Sequence, residues 1–426
     1  MRYLGTTFVF AFLVACQSSA QVTETPAPVE QHTETTAATM MAVTPEPKIT
    51  AHQAVVIEPP QERAAIEREP LILLDHPEKR GSRDFVFVAV GDVSQPATQW
   101  VEQVEGLGPK AFDPTRHLLT GELNFMNLEN PVTEESPTAK KQYSFTCPPH
   151  RLDWYLGAGF NMFSLANNHI ADAAQPGIDA TIANLDEAAV RAQKPLWHAG
   201  AGQTPEDGIA PKIVEVPGKD LKMAFFSVGF SGSPNVGKFY DETLPDRIRE
   251  AKKTVDLVMV AVHAGKEYIH VPDPQLQARY RSWVDAGADL VVGHHPHVIQ
   301  PVEAYKGSLI LYSLGNYVFA SRTVRHRKVG AKLYGMIARV AIVDGKVRAA
   351  QLVPTWVNNS DDWTLEDGQT LPHAAFAPKV LTGAFADAWF QDMETWTRAA
   401  NTTPIERQGD TGVIRLPKSQ PDVAWR

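Results

Sequence analysis

Cysteine is scarce, with two in 426 residues. That excludes a disulfide framework and any four-cysteine zinc site. No apolar run reaches the ~18 residues a transmembrane helix needs, which excludes a polytopic membrane protein. A basic surplus is missing too. Lys and Arg number 40 against 49 Asp and Glu, a net charge of −9, so no nucleic-acid partner is expected. No ATP-binding P-loop occurs. Aromatic residues are absent from Gln17 through Asp84, and all nine tryptophans lie at Trp100 or beyond. A chain that is 43% hydrophobic still has ample material for a core, and that material sits after the aromatic-free stretch.

The first residues read as an address. Met1 and Arg2 give a short positive start. Tyr3 to Val14 is an apolar segment too short to span a bilayer, like the h-region of a secretory signal. Leu13-Val14-Ala15-Cys16 resembles the bacterial lipobox. The resemblance implies cleavage before an acylated Cys16, and several acyl chains on one residue give stable membrane anchoring. Lipoproteins retained in the inner membrane tend to carry Asp after the Cys. Gln17 in its place points to a periplasm-facing position on the outer membrane, or to the cell surface. Residues 17–70 are rich in Thr, Glu, Pro, Ala and Gln. They cannot bury enough apolar surface to fold and read as a disordered tether. Leu71 to Leu74 is the first segment able to dock on a core.

Beyond the tether one rhythm repeats. Apolar runs of strand length end in polar clusters and give way to helical patterns. Phe85–Val90 ends in Gly91-Asp92, Leu123–Leu128 in Glu129-Asn130, and Asn161–Leu165 in Asn167-Asn168-His169. Asp256–Val262 ends in His263, and Asp289–Val292 in Gly293-His294-His295. Helices are expected near Pro149–Gly157, Ile178–Ala192, Pro245–Val255 and Pro274–Ala286. Strands that are apolar throughout and alternate with helices imply a covered sheet, parallel at least in part. Ligands gather beyond the carboxyl ends of such strands, so the polar clusters should converge on one rim. After His297 the pattern changes. Leu309–Leu314, Gly335–Val343 and Val347–Val353 read as a second sheet, with a hairpin turn at Asp344-Gly345. From Asn358 on the periodicity is weak and the segment stays unplaced.

Each polar cluster alone has a structural reading: a turn at Gly91-Asp92, a solvated charge at Glu129, a satisfied histidine at His263. The set weighs more. Five successive strand ends carry a hard oxygen or an imidazole, and three of the 14 histidines fall within residues 294–297. Asp92, Glu129, Asn168, His263, His295 and His297 make a mixed carboxylate, amide and imidazole set that suits Mn, Fe or Zn.

Those residues carry a resemblance to the CapA/PgsA family of capsule and poly-γ-glutamate synthesis proteins, a branch of the calcineurin-like metallophosphatase superfamily. The motifs are Val90-Gly91-Asp92, Asn127-Leu128-Glu129-Asn130-Pro131, and Ser164-Leu165-Ala166-Asn167-Asn168-His169 with Asp172. They continue in His263-Ala264-Gly265-Lys266-Glu267-Tyr268 and a long block from Gly293 to Phe319. Coverage runs from about Asp84 to Ala320. The resemblance implies an α/β protein, a metallophosphatase-like four-layer α/β/β/α sandwich over residues 71–357. It follows a signal segment at 1–16 and the tether at 17–70, and leaves 358–426 as a C-terminal extension.

Position by position, the resemblance implies one or two divalent ions held by this set. Asp92 stands as the ligand after the first strand and Glu129 where a bridging carboxylate belongs. Asn168 stands as the amide ligand, and His263, His295 and His297 as the imidazole ligands. His169, with Asp172, matches the catalytic histidine that protonates a leaving group. Glu267 and Glu303 read either as carboxylates that orient histidines or as surface salt bridges. Asn316 is either a support of the site or a turn former.

The chain departs from the pattern in places. Ser94 stands where the superfamily's Asp-x-His has its histidine, so one ligand of a full two-metal site is missing. Ala173-Ala174 stand where the family has an aromatic residue and a glycine, and Ala264 stands where it has Trp. The run Arg322, Arg325, His326, Arg327, Lys328 is either a solvated loop or a lure for an anionic polymer. Cys147 reads as a buried apolar residue. The function implied is a lipid-anchored envelope protein of capsule or poly-γ-glutamate synthesis or export, working beside a separate ligase and membrane partners. The alternatives are a metal-dependent phosphoesterase of the envelope and a non-catalytic module that binds an anionic polymer.

Overall fold

The computed structural model describes residues 70–97, 100–322 and 324–417. Cys16, the signal segment and the tether up to residue 69 lie outside the described residues. The strands of three residues or more are, in chain order, β1 (Phe85–Ser94), β2 (Leu123–Leu128), β3 (Met162–Ser164), β4 (Trp197–Ala199), β5 (Lys212–Glu215), β6 (Lys222–Gly229), β7 (Leu257–His263), β8 (Leu290–His294), β9 (Ile299–Tyr305), β10 (Ser308–Leu314), β11 (Asn316–Phe319), β12 (Tyr334–Val343), β13 (Lys346–Trp356), β14 (Glu406–Gln408) and β15 (Thr411–Arg415). Helices of eight residues or more are α1 (Arg151–Ala158), α2 (Ala174–Ala192), α3 (Leu244–Lys252), α4 (Pro274–Asp285) and α5 (Gly383–Ala400).

Two sheets result. The first runs β14-β15-β13-β12-β1-β2-β3-β4, with β11 beside the carboxyl end of β1. The second runs β5-β6-β7-β8-β10-β9. Alternation along β1 explains the layering, because successive side chains point to opposite faces. Phe85, Phe87 and Ala89 enter the core shared with the second sheet, while Val86, Val88 and Val90 pack with Leu152 and Tyr155 of α1 and with Ile178 and Leu185 of α2. On β7 the same division holds. Leu257, Met259 and Ala261 face the first sheet, and Val258, Val260 and Val262 face Ile248 of α3 and Tyr280 and Trp283 of α4. Helices, sheet, sheet, helices are therefore the four layers, as the resemblance implied. The start of α4 is set locally: Asp273 caps it by accepting from Gln275 N at 2.9 Å, and Pro274 opens the first turn.

Two expectations need correction. Leu309–Leu314 does not share a second sheet with β12 and β13. It is β10, parallel to β8 and antiparallel to β9, whereas β12 and β13 continue the first sheet from β1. Nor are residues beyond 357 an appendage. β15 pairs with β13, and α5 sends Ala386, Trp389 and Met393 into the core between the sheets. The domain boundary expected at 357 thus falls inside one core. The hairpin at Asp344-Gly345 is present, with φ of 49° and 66° turning Val343 back onto Lys346. Leu73 and Leu74 are buried against the first sheet, and Leu74 O accepts from Arg339 at 2.7 Å.

Candidate metal centre

The parallel strands β1, β2, β3, β7 and β8 end on one rim. Gly91 lets β11 crowd against β1: a Cβ there would stand 2.1 Å from Gly315 O. Instead Asp92 N donates to that oxygen at 2.9 Å, and Asn316 is brought level with Asp92. Glu129 follows β2 directly and its N–H donates to Val93 O at 2.9 Å. After β3, Asn167 Oδ1 accepts from the N–H groups of His169 (3.0 Å) and Ile170 (2.8 Å), a turn that presents Asn168 and His169. His263 closes β7 and His294 closes β8. Beyond β8 the chain takes left-handed backbone at His295 (φ 94°) and His297 (φ 58°), a strained choice for side-chain-bearing residues.

Those turns bring all six expected ligands together. Donor atoms of Asp92, Glu129 and His263 lie within 4.8 Å of one another. His263 Nε2 is 3.8 Å from Glu129 Oε1, 3.1 Å from His295 Nδ1 and 2.9 Å from Asn168 Oδ1. His297 reaches Glu129 Oε1 through Nε2 at 3.7 Å and Asp92 Oδ2 through Nδ1 at 3.4 Å. His169 Nε2 stands 4.0 Å from the same Glu129 oxygen. Its other nitrogen, Nδ1, is 2.8 Å from Asp172 Oδ2, and Asp172 in turn binds Lys141 at 2.6 Å.

Burial dominates the electrostatics. It pushes the Glu129 carboxyl well above the usual carboxylate range, and the nearby Asp92 charge pushes further. Burial also pulls His263 well down and His295 down to about 4, with neighbouring imidazoles adding to both. His297 goes the other way: burial opposes its charge, but Glu129 and the hydrogen bond to Asp92 prevail and push it up to about 10. Burial would raise Asp92, yet the His297 hydrogen bond and the surrounding histidines hold it below the ordinary range. Burial lowers His169 too, against the pull of Asp172.

One feature tests whether these residues fit a cation. Glu129 is wholly buried, and neither carboxylate oxygen has a hydrogen-bond partner among the described residues. An unpaired carboxylate in such a place costs several kcal/mol unless it takes a proton or meets a positive charge. Three imidazoles and a second carboxylate face it, so the donor set fits a borderline divalent ion.

The remaining expectations divide. Asn316 Oδ1 lies 2.9 Å from His297 Nδ1, so it supports the site as well as opening β11. Glu267 pairs with Arg325 at 3.2 Å, and its charge favours protonated His297. Among the described residues Glu303 orients no histidine: Arg281 (2.8 Å) and Tyr312 (2.6 Å) donate to it on β9 in the second sheet, so of its two readings the salt bridge holds and the supporting role is corrected. Much of the basic run is committed elsewhere. Arg327 and His326 pair with Asp361, and Arg322 stacks on Trp100 at 4.6 Å. Cys147 is buried beside Tyr155, and burial raises its thiol to about 11. The structure adds Asn127 and Lys141 to the site. Asn127 Nδ2 donates to Asp92 Oδ1 at 2.8 Å and lies 3.1 Å from His263 Nδ1, and its place two residues before Glu129, on the same face of β2, was the available signal. Lys141 comes from a loop with no periodic pattern to flag it.

Residues 86–321 match the family described as bacterial capsule synthesis protein PGA_cap. Curated relatives include the PGA biosynthesis protein CapA of Bacillus subtilis strain 168, 34% identical over 213 residues, which covers 47% of this chain and 54% of that protein. The capsule biosynthesis protein CapA of Bacillus anthracis is 34% identical over 208 residues, 45% of this chain and 49% of that one. The chain therefore spans about half the length of the curated relatives it matches. Among solved structures, a phosphatase from Mycoplasma pneumoniae aligns over 64% of this chain and 94% of that one, at 16% identity and a TM-score of 0.41.

Proposed function

The chain belongs to the bacterial capsule synthesis protein PGA_cap family, and from that premise we propose that it serves capsule or poly-γ-glutamate synthesis or export at the cell envelope through a divalent-metal centre. The observation that carries the metal is the buried Glu129 carboxylate, without a hydrogen-bond partner among the described residues and faced by His169, His263 and His297. Asp92, Glu129, Asn168, His263, His295 and His297 would hold one or two ions of Mn, Fe or Zn. Such an ion would neutralise charge on a bound anionic group and make water a better nucleophile at neutral pH. Membrane attachment through acylated Cys16 belongs to the same proposal, as do a separate ligase and an anionic polymer as partners. No described helix is long and apolar enough to cross a membrane.

A second reading, phosphoester hydrolysis in the envelope, is favoured by His169. Asp172 and Lys141 hold its Nδ1 edge while Nε2 is turned toward Glu129. A proton carried at Nε2 can pass to a leaving oxygen there. The supporting charges offset one another: Asp172 favours the protonated ring and Lys141 opposes it.

Elemental analysis of the purified full-length chain tests the metal centre. About one equivalent or more of a transition metal is expected, lost in Glu129→Gln and lost reversibly on acidification, because the ligands must be deprotonated. Only trace metal in the wild type, even after soaking with Mn, Fe and Zn, would remove the centre. Cys16→Ser tests the anchor: continued fatty-acid labelling and membrane fractionation would remove it.

A further inference from the structure

Two cavities of very different size open beside the centre. One, of about 660 Å³, is lined by Asn168, Phe230, Lys238 and Tyr240. The other, of about 80 Å³, is lined by Ser94, Phe145, His169, His297 and Phe319. The rings mark their order across the site. Phe230 lies 5.6 Å from His295, His295 lies 6.1 Å from His297, and His297 lies 5.0 Å from Phe319. Phe230 thus walls the large cavity and Phe319 the small one, with the imidazoles between.

Size decides what each can take. The larger is ligand-sized, since small-molecule sites run to about 300–1,000 Å³. The smaller falls well below that range. Ser94, which stands where the superfamily pattern has a histidine, lines that space. Chemistry distinguishes them as well. In the large cavity Tyr240 is 65% exposed and stacks on Phe230 at 6.0 Å, an apolar platform open to solvent. Lys238 stands beside it. Its ammonium donates to Ser231 O at 2.8 Å and to Ser233 O, and among the described residues it pairs with no carboxylate. Asp241, at the same cavity, turns its carboxylate to Thr243 instead. Lys238 is thus the ammonium of this wall with no ion-pair partner among the described residues, and Asp241 adds a carboxylate held by Thr243. His169 lies on the small side and Asn168 on the large.

Resting on the hydrolytic reading of His169, we propose that the substrate is a phosphodiester whose large anionic body lies on Phe230, Lys238 and Tyr240, and that a small alcohol leaves on the His169 side. Water gives its oxygen to phosphorus, and the bond from phosphorus to the small group's oxygen breaks. That oxygen takes a proton through His169, and water's other proton goes to solvent. The products are the small alcohol and a phosphomonoester on the large body, and nothing is oxidised or reduced. The centre would then trim small groups from the end of a larger phosphorylated chain.

A probe with two distinguishable ester bonds tests this: a glycerol-phosphate oligomer closed at one end as its methyl phosphodiester. The full-length, Mn-loaded chain should release methanol and leave a terminal monoester, at least about tenfold over release of methyl phosphate. Phosphorus NMR separates the two. Preferential or equal release of methyl phosphate overturns the proposal and leaves the hydrolytic reading standing. No product of either kind removes both. Lys238→Met should raise KM for this probe about tenfold with kcat within about twofold and metal content unchanged, and Lys238→Arg should restore KM. A Lys238→Met variant that loses kcat or metal instead would mean that the lysine only holds its loop. Phe319→Ala, which enlarges the small cavity, should relax the preference for the small leaving group. An unchanged preference in that variant also counts against the proposal.

Discussion

On one side of β1 the first sheet runs parallel through β2, β3 and β4, and on the other it runs antiparallel through β12, β13 and β15. Both halves are largely buried, with Leu, Phe and Met on β2 and β3 and Val, Ile and Ala on β12 and β13, yet only the parallel side bears chemistry. Direction explains the difference. Parallel strands all deliver their carboxyl ends to one rim, so each strand-to-helix turn adds a polar group to the same place. Antiparallel strands alternate, and half of their turns fall at the far end. Asp344-Gly345 is such a turn, remote from Asp92 along β12. The parallel side thus assembles a site while the antiparallel side and α5 enlarge the core beneath it.

That division can be broken most sharply at the rim. His295→Ala should lose metal and activity together. His169→Asn should keep its metal and lose roughly 10²–10⁴-fold in rate, with a smaller loss on an aryl ester whose leaving group needs no proton. Kinetics beside elemental analysis would show it, and metal loss in His169→Asn would blur the two roles. On the other side, Trp389→Ala should cost about 3–5 kcal/mol of stability, read from denaturant unfolding. Metal per folded molecule should not change. If it falls, the two halves are not separable.

A third test probes the contact between the second sheet and α5. His270 is stacked on Trp396 of α5 at 3.6 Å and uses both ring nitrogens: Nδ1 lies 3.0 Å from Ile299 O, and Nε2 accepts from Lys332 N at 3.2 Å. That pattern requires the neutral ring, and burial lowers its pKa to about 4. The unfolded chain binds this proton below ~6.5, so the contribution of His270 is complete above that pH, falls as pH drops from ~6.5 toward 4, and is spent below 4. Metal-free wild type should lose on the order of 3 kcal/mol more across that window than His270→Phe. Equal pH slopes for the two proteins would rule this out.

Smaller effects follow. Asn316→Ala should weaken metal binding about 10–100-fold by releasing His297, as measured by competition with a chelator. Glu394→Ala, which breaks the exposed pair with Arg398 at 2.6 Å on α5, should change stability by less than about 0.5 kcal/mol.

Local pattern carried the site further than the fold. Strand ends marked Asp92, Glu129, Asn168, His263 and His295 because apolar runs stop where polar residues begin, and that is a nearest-neighbour property. Which strand lies beside which is not. Leu309–Leu314 and Tyr334–Val343 are equally apolar, and nothing in either run says that one pairs with β8 and the other with β1. Glu303 misled for a similar reason: it stands six residues after His297, but β9 carries it away to Arg281. Residues beyond 357 were hard to place because the buried stripe of α5 (Ala386, Trp389, Met393, Thr397 and Ala400) recurs at helical spacing but holds only two large apolar side chains, so its signal is faint. Lys141 depends on a loop path that no periodicity encodes.

His295 and His297 hold positive φ, where glycine or asparagine would sit at lower energy. A library of this chain sorted only for heat resistance should therefore drift toward Gly or Asn at both positions. A library sorted for metal retention should hold histidine there at the expense of melting temperature. The two enrichments would pull apart at these two codons first, so a deep mutational scan would find this turn as the place where selection for endurance and selection for use disagree.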